Sequence, residues 1–443
     1  MAARFWSLLA GLGIVVGAHS SAGAAAFKKG PYLQNVSMST VTVMWEADHS
    51  VVCDLRLLSP VKRTIKTESE RMHEIVIDKL SAGKRYRYSV TCGNEKAVGE
   101  FATAPESGAP FSFVVFGDSR HYESSHLRVV ERVRREVPDF ILGTGDMVDT
   151  GGSESDWQKF FNIEGNLLRE NVLFPSLGNH DRQGRGKTAD NYRKYFSLPE
   201  NSPNPERYYA FTYASARFLI LDSNAHSFAL TDQTAWIKRQ LRAARRDKKI
   251  KHVFVTMHHP PFSVSLHGGQ TELREAWTPL FEEFGVAAVF SGHDHVYSRA
   301  YREGVNYFVS GGGGAPLYPH GRRVSKIDKK ATKYFERVNH YMRVQVVGDL
   351  IEISAIRSDG STIETVSWGS APRPEAMYTK KPVSRVTNKQ ATRVPAAGAG
   401  RHAATVRQAS PAASSGGGFG LMGMLGGLLM LFAGAGLFWT LRN

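Results

Sequence analysis

Cysteine is nearly missing from this sequence: 443 residues contain two, Cys53 and Cys92. No zinc-finger spacing or other nucleic-acid motif can be built from it. Any metal must be held by carboxylate oxygen and imidazole nitrogen rather than thiolate. The chain is long enough to bury a sizeable core without leaning on disulfides, and it exceeds the usual size of one domain. Acidic residues are outnumbered, 41 Asp and Glu against 56 Lys and Arg, for a net charge of +15. That balance favours anionic partners in general terms. The basic clusters Lys238-Arg239, Arg242 and Arg245-Arg246 read as a solvated helix face, and no specific nucleic-acid binding is expected. Apolar runs long enough to cross a bilayer are absent until Phe419.

What is present lies mainly between Phe111 and Arg299, where five short blocks stand in order. They are Gly117-Asp118-Ser119-Arg120, Gly145-Asp146-Met147-Val148-Asp149, Gly178-Asn179-His180-Asp181, Met257-His258-His259-Pro260 and Gly292-His293-Asp294-His295. Each follows a short apolar run (FSFVVF, DFILGT, VLFPSL, HVFVTM, VAAVF) that reads as a buried strand of a parallel sheet. Ligands of open α/β sheets bind beyond the carboxyl ends of the strands. Five such ends would gather two Asp, one Asn and at least three His in one crevice. These donors suit Mn, Fe or Zn. Two such ions, roughly 3.5–4 Å apart, can hold a hydroxide and stabilise both oxygens of a phosphoryl transfer. One carboxylate must bridge them, and Asp146 is the natural choice.

The five blocks resemble the signature of calcineurin-like metallophosphoesterases, and the run from Gly292 to Arg299 is close to the purple acid phosphatase version. The resemblance implies that Asp118 and His295 bind the first metal, Asp146 bridges, and Asn179, His258 and His293 bind the second. It implies that His180 contacts the phosphate and protonates the leaving oxygen, and that His267, nine positions after His258, contacts substrate. It also implies a four-layer α/β/β/α sandwich. Between the strand runs, helical patterns at His126–Arg135, Trp157–Leu168, Thr234–Ala244 and Leu273–Phe284 suit such a layered domain. Tyr341–Val347 and Leu350–Ile356 read as a hairpin around Gly348-Asp349. The Gly-rich stretch from Phe308 resembles the loop after the last block in purple acid phosphatases.

Two positions depart from the family pattern. Many metallophosphoesterases place a metal-binding His where this chain has Arg120, and purple acid phosphatases place a Tyr where it has Asp149. Arg120 is read as a bidentate phosphate clamp or as a neutraliser of nearby carboxylates. Asp149, His121 or water would complete the first metal site, with Asp149 favoured as a hydrogen-bonding group. His259, before Pro260-Pro261, is read as supporting or structural, and Asp294 as orienting a neighbour. Without the Tyr, an iron-loaded protein is expected not to be purple.

Residues 1–26 look like a secretory signal peptide, with Arg4, an apolar core from Ser7 to Ala18 and small residues before Phe27. From 27 to 105, the runs VTVMWEA, VCDLRLL, HEIVID, YRYSVTC and VGEFAT read as a β-sandwich. The Lys29–Gln34 opening and the turn before Tyr86 resemble the fibronectin-III-like amino-terminal domain of purple acid phosphatases. In that topology Cys53 and Cys92 lie on neighbouring strands, and in an exported protein one disulfide is expected where geometry allows it. The catalytic domain would span 109–370, and 371–417 reads as a flexible basic linker. Residues 418–441 read as a transmembrane or sorting segment, resembling GlyGly-type signals cut by a membrane protease.

The expectation is therefore an exported, membrane-anchored, cell-surface or periplasmic hydrolase carrying two metal ions (Fe, Mn or Zn). Its substrate would be a phosphorylated small molecule or nucleotide, with phosphomonoester hydrolysis first and phosphodiester or nucleotide hydrolysis second. A non-catalytic, metal-stabilised binding module is the reading from another class.

Overall fold

The computed structural model describes residues 26–184, 188–224 and 230–370. All fall in the first of two units of the chain, Met1–Lys380; the second, Lys381–Asn443, lies wholly outside them.

Seven strands come first: β1 (Phe27–Gln34), β2 (Val41–Val51), β3 (Cys53–Ser59), β4 (Arg63–Lys66), β5 (Glu70–Ile77), β6 (Arg85–Cys92) and β7 (Glu95–Ala102). They form two antiparallel sheets, ordered β1-β2-β5 and β4-β3-β6-β7. In β6 the two-residue period is plain: Tyr86, Tyr88, Val90 and Cys92 are buried while Arg85 and Arg87 face solvent. Sequence reading missed β1 and β4. The first is irregular, its register shifting around Gly30-Pro31, and the second is four residues with none buried. Cys53 and Cys92 stand opposite one another in the β3–β6 ladder, Cα atoms 4.5 Å apart, and are joined by a disulfide.

Next come β8 (Phe111–Phe116), α1 (Glu123–Glu136), β9 (Phe140–Gly143), α2 (Glu154–Leu168), β10 (Val172–Pro175), α3 (Asp190–Tyr195), β11 (Tyr209–Tyr213) and β12 (Ala216–Ile220). They are followed by α4 (Leu230–Arg246), β13 (His252–Thr256), α5 (Thr271–Phe284), β14 (Ala288–Ser291), β15 (Tyr297–Arg302) and β16 (Val305–Ser310). The described part ends with α6 (Lys326–Ala331), β17 (Thr332–Glu336), β18 (His340–Val347), β19 (Leu350–Arg357) and β20 (Thr362–Trp368). Two mixed sheets result, ordered β10-β9-β8-β18-β19-β20 and β11-β12-β13-β14-β16-β15-β17. The five block-bearing strands are thus divided: β8, β9 and β10 run parallel in one sheet, β13 and β14 in the other. A single parallel sheet was the simpler reading. Short runs apolar on both faces fit one covered sheet or two stacked ones equally well, and they do not say which.

Stacking is carried by aromatic rings. Phe113 meets Phe218 and Phe254 edge-on, with centroids 5.3 and 5.4 Å apart. Phe218, Phe254 and Phe290 face this inner core, while their neighbours Leu219, Val255 and Val289 join Trp236, Leu241, Trp277 and Phe281 beneath α4 and α5. On the other side α1 and α2 pack together, and α1 lies on β18. The order is helix, sheet, sheet, helix. Ser153 caps α2, its side chain accepting from the Asp156 N–H at 3.2 Å, and Gly285 ends α5 in a left-handed conformation.

The amino-terminal strands are seated firmly on this body. Lys29 of β1 is 1% exposed, and its ammonium meets Glu46 and, at 2.7 Å, Glu154 at the start of α2. Tyr32 donates to the Tyr195 carbonyl at 2.9 Å and Tyr88 to that of Arg169 at 3.0 Å.

The membrane expectation needs correction. Among the described residues no helix is long and apolar enough to cross a membrane. The longest helix among them, α4, has 17 residues and carries Lys238, Arg239, Arg242, Arg245 and Arg246. Polar faces of that kind belong to water, not hydrocarbon. The 418–441 segment and the linker before it lie outside the described residues, as does the expected signal peptide apart from Ala26.

Candidate metal centre

Three of the blocks turn sharply just after their strands, and close backbone approach makes the turns possible. Asp118, Asp146 and His293 all adopt positive φ (55°, 54° and 68°), a conformation that non-glycine residues hold only when their surroundings impose it. A Cβ on Gly178 would strike the backbone and carboxylate of Asp146, and one on Gly292 would strike the Asp118 carboxylate. The loops are therefore stacked directly on one another, which brings donors from two sheets together.

Two groups of metal-capable atoms result. Those of Asp118, Asp146 and His295 lie within 4.8 Å of one another, all buried, as do those of His258, His259 and His293. Asn179 joins the second group, its Oδ1 standing 3.0 Å from His258 Nε2 and 3.1 Å from His293 Nδ1. Asp146 touches both: it belongs to the first group, and its Oδ1 is 3.3 Å from His258 Nε2. All six ligands expected from sequence are thus gathered. His259 is an addition; read as supporting, it stands with the second group while its Nδ1 pairs with Ser223 Oγ at 2.9 Å.

Backbone carbonyls fix the rings. His258 Nδ1 donates to Thr144 O at 2.9 Å and His295 Nδ1 to Pro316 O at 2.7 Å, so each ring turns Nε2 toward the centre. Burial opposes a charge on His258, yet Asp146 and Asp118 hold its pKa above the ordinary value. His293 is pushed down by burial and by His258, and His259 is pushed down to about 3 for the same reasons. His258 Nε2 faces the Asn179 and Asp146 oxygens. The donor set fits a metal: carboxylate, amide oxygen and imidazole nitrogen converge with no thiolate and no apolar lining between them.

Arg120 stands at the first group. Its Nε is 3.3 Å from Asp146 Oδ2, its Nη1 3.2 Å from Asp149 Oδ1 and its Nη2 3.4 Å from His295 Nε2. Asp149 also meets His121 Nε2 at 3.2 Å. Neither Asp149 nor His121 belongs to either donor group. His180 donates from Nδ1 to the Asp149 carbonyl at 2.7 Å, and its backbone N–H donates to Asp146 Oδ1 at 2.9 Å. The His267 ring lies 4.6 Å from that of His293, and the backbone N–H of His267 donates to Asp294 Oδ1 at 3.1 Å. Sequence reasoning missed Tyr318, whose ring stacks on His295 at 4.0 Å and meets His267 at 5.3 Å. Burial raises its phenol pKa against the pull of the Arg120 guanidinium. Only the Gly-rich setting pointed to that loop, and no spacing marked the residue.

Two sheets flanked by helices thus carry paired His/Asp clusters at their strand ends, a layered α/β fold with a candidate dinuclear centre. Residues 111–297 match the family model described as calcineurin-like phosphoesterase. An uncharacterized protein of Mycobacterium tuberculosis is 27% identical over 278 residues, 54% of this chain and 53% of that protein. Mouse tartrate-resistant acid phosphatase type 5 is 26% identical over 312 residues, 63% of this chain and 90% of that protein. The chain spans about half the length of the mycobacterial protein and of several other curated relatives it matches. Among solved structures, purple acid phosphatase PPD1 from yellow lupin seeds superposes with a TM-score of 0.66 at 16% identity, covering 82% of this chain and 78% of that one. That likeness is one of fold.

Proposed function

We propose that this protein is a dinuclear metal-dependent phosphoesterase acting first on phosphomonoesters. One observation carries the reading: strand-end loops from two sheets converge on two donor groups that meet at Asp146. In this reading Asp118, His295 and Asp146 would hold one ion, and Asn179, His258 and His293, beside the same Asp146, would hold the other. Bound there, the ions would supply Lewis acidity and an activated water. The remaining work belongs to the chain. His180 has Nδ1 committed to the Asp149 carbonyl, so Nε2 is the atom at which a proton is held for the leaving oxygen. Arg120, engaged with Asp146, Asp149 and His295, neutralises the carboxylates beside it, and His267 lines the cleft beside His293.

We read residues 27–105 as a fibronectin-III-like domain, supported by the strand orders of its two sheets, and 109–370 as the catalytic domain. The sandwich serves as a rigid seat rather than a reactive part. Similarity to a relative named an acid phosphatase favours the monoester over the diester. The test strips the full chain with chelator, reloads it with Mn, Fe or Zn, and compares p-nitrophenyl phosphate with bis(p-nitrophenyl) phosphate. Faster monoester turnover supports the reading, and a preference for the bis-ester moves it to a phosphodiesterase. A folded protein inert toward both with every metal would leave the binding module.

A further inference from the structure

We infer that Arg120 is a resident cation of the first donor group, so that the two groups take up metal with very unequal affinity. The second group loads tightly; the first loads only in competition with the guanidinium. This rests on the dinuclear reading above and adds to it an order of loading.

The argument is one of shared lone pairs. His295 donates from Nδ1 to Pro316 O, which leaves its lone pair on Nε2, the atom that Arg120 Nη2 approaches at 3.4 Å. Arg120 Nε takes Asp146 Oδ2 at 3.3 Å. Two of the three donors an ion would need are therefore already engaged by a fixed positive charge. The Arg120 side chain is 8% exposed, is tethered outward by Asp149 Oδ1, and lies beside the Tyr318 ring stacked on His295. It cannot drift away freely, and arginine stays protonated at any working pH. The second group is bonded instead to the Thr144 carbonyl, the Asn179 amide oxygen and the Ser223 hydroxyl, all neutral, and to the Asp146 carboxylate. An ion entering there gains anionic and neutral donors. An ion entering the first group must first displace a like charge from the same atoms, and like charges at contact distance in a buried site repel strongly.

The test titrates the metal-stripped full chain with Mn(II) by calorimetry, and bound metal is counted by mass spectrometry after gel filtration. Wild type should show two classes of site whose dissociation constants differ by on the order of a hundredfold, the scale of one adjacent charge in a partly buried site. Arg120→Gln should bring the two classes within about tenfold of each other, whereas Arg120→Lys, which keeps the charge, should leave them apart. Two equal sites in wild type, or a gap unchanged in Arg120→Gln, would overturn the inference while leaving the dinuclear reading intact. A chain that binds no Mn(II) would end both. The wild-type titration decides by itself should the Gln variant not fold.

Discussion

Asp181 holds the loop of Asp146 in place. Its Oδ2 accepts from the backbone N–H groups of Asp146 and Gly178, each at 2.9 Å, and its Oδ1 from those of Met147 at 2.9 Å and Val148 at 3.3 Å. The carboxylate is fully buried and makes the left-handed turn at Asp146 a bonded arrangement rather than an exposed strain. Asp181→Asn puts an NH2 group against N–H donors and leaves some of them unpaired. The expected cost is about 2–3 kcal/mol of stability and a 10- to 100-fold loss of metal affinity, roughly that seen for groups that orient ligands. Denaturant melts and metal titration of Asp181→Asn check both.

The contact between β1 and α2 predicts a pH signature. Burial works against the Glu154 charge, but hydrogen bonds from Lys28, Lys29 and Tyr195 bring its pKa down to about 2 from the ordinary 4.5. A depressed carboxylate pKa contributes stability that is present above 4.5 and is lost as pH falls through about 2. Glu154 is 43% exposed, so after solvent screening the contribution is about 1 kcal/mol. Unfolding midpoints of wild type and Glu154→Gln should differ at pH 7 and converge toward pH 2. A gap that persists unchanged in acid contradicts this assignment.

The disulfide should matter for stability and not for chemistry. It closes a loop with a sequence separation of 39 in the amino-terminal sheets, and neither cysteine belongs to the donor groups. Loop closure of that size is worth roughly 3–4 kcal/mol in the chain-entropy account. Cys53→Ser with Cys92→Ser should lower the melting temperature while leaving metal stoichiometry unchanged. Loss of metal from the folded double variant would show that the sandwich shapes the centre.

Much of the site was legible because its donors sit where strands end, and an apolar run followed by Gly-Asp or Gly-Asn-His is a local pattern. The pattern marked the strand ends as a crevice of Asp, Asn and His; the family resemblance assigned Asp118, Asp146, Asn179, His258, His293 and His295 as ligands, and the structure brings those six side chains together. What was not legible depends on contacts distant in sequence. Nothing near Tyr318 announces that its ring will lie on His295, and the Pro260-Pro261 pair beside His259 says only that it is supporting or structural, not that it stands with the second group. The division of the five strands between two sheets follows from the β18–β19 hairpin pairing beside β8, a choice of partner that hydrophobicity alone does not encode. Lys29 reads as an ordinary surface lysine until Glu46 and Glu154 enclose it.

The most direct test of the central claim compares wild type with Asp146→Asn, reading bound metal and p-nitrophenyl phosphate turnover in the same preparations. Asp146 belongs to the first donor group and touches His258 of the second, so losing its charge should weaken metal binding and abolish metal-dependent turnover together. A folded Asp146→Asn protein that keeps two ions and wild-type turnover would contradict the account.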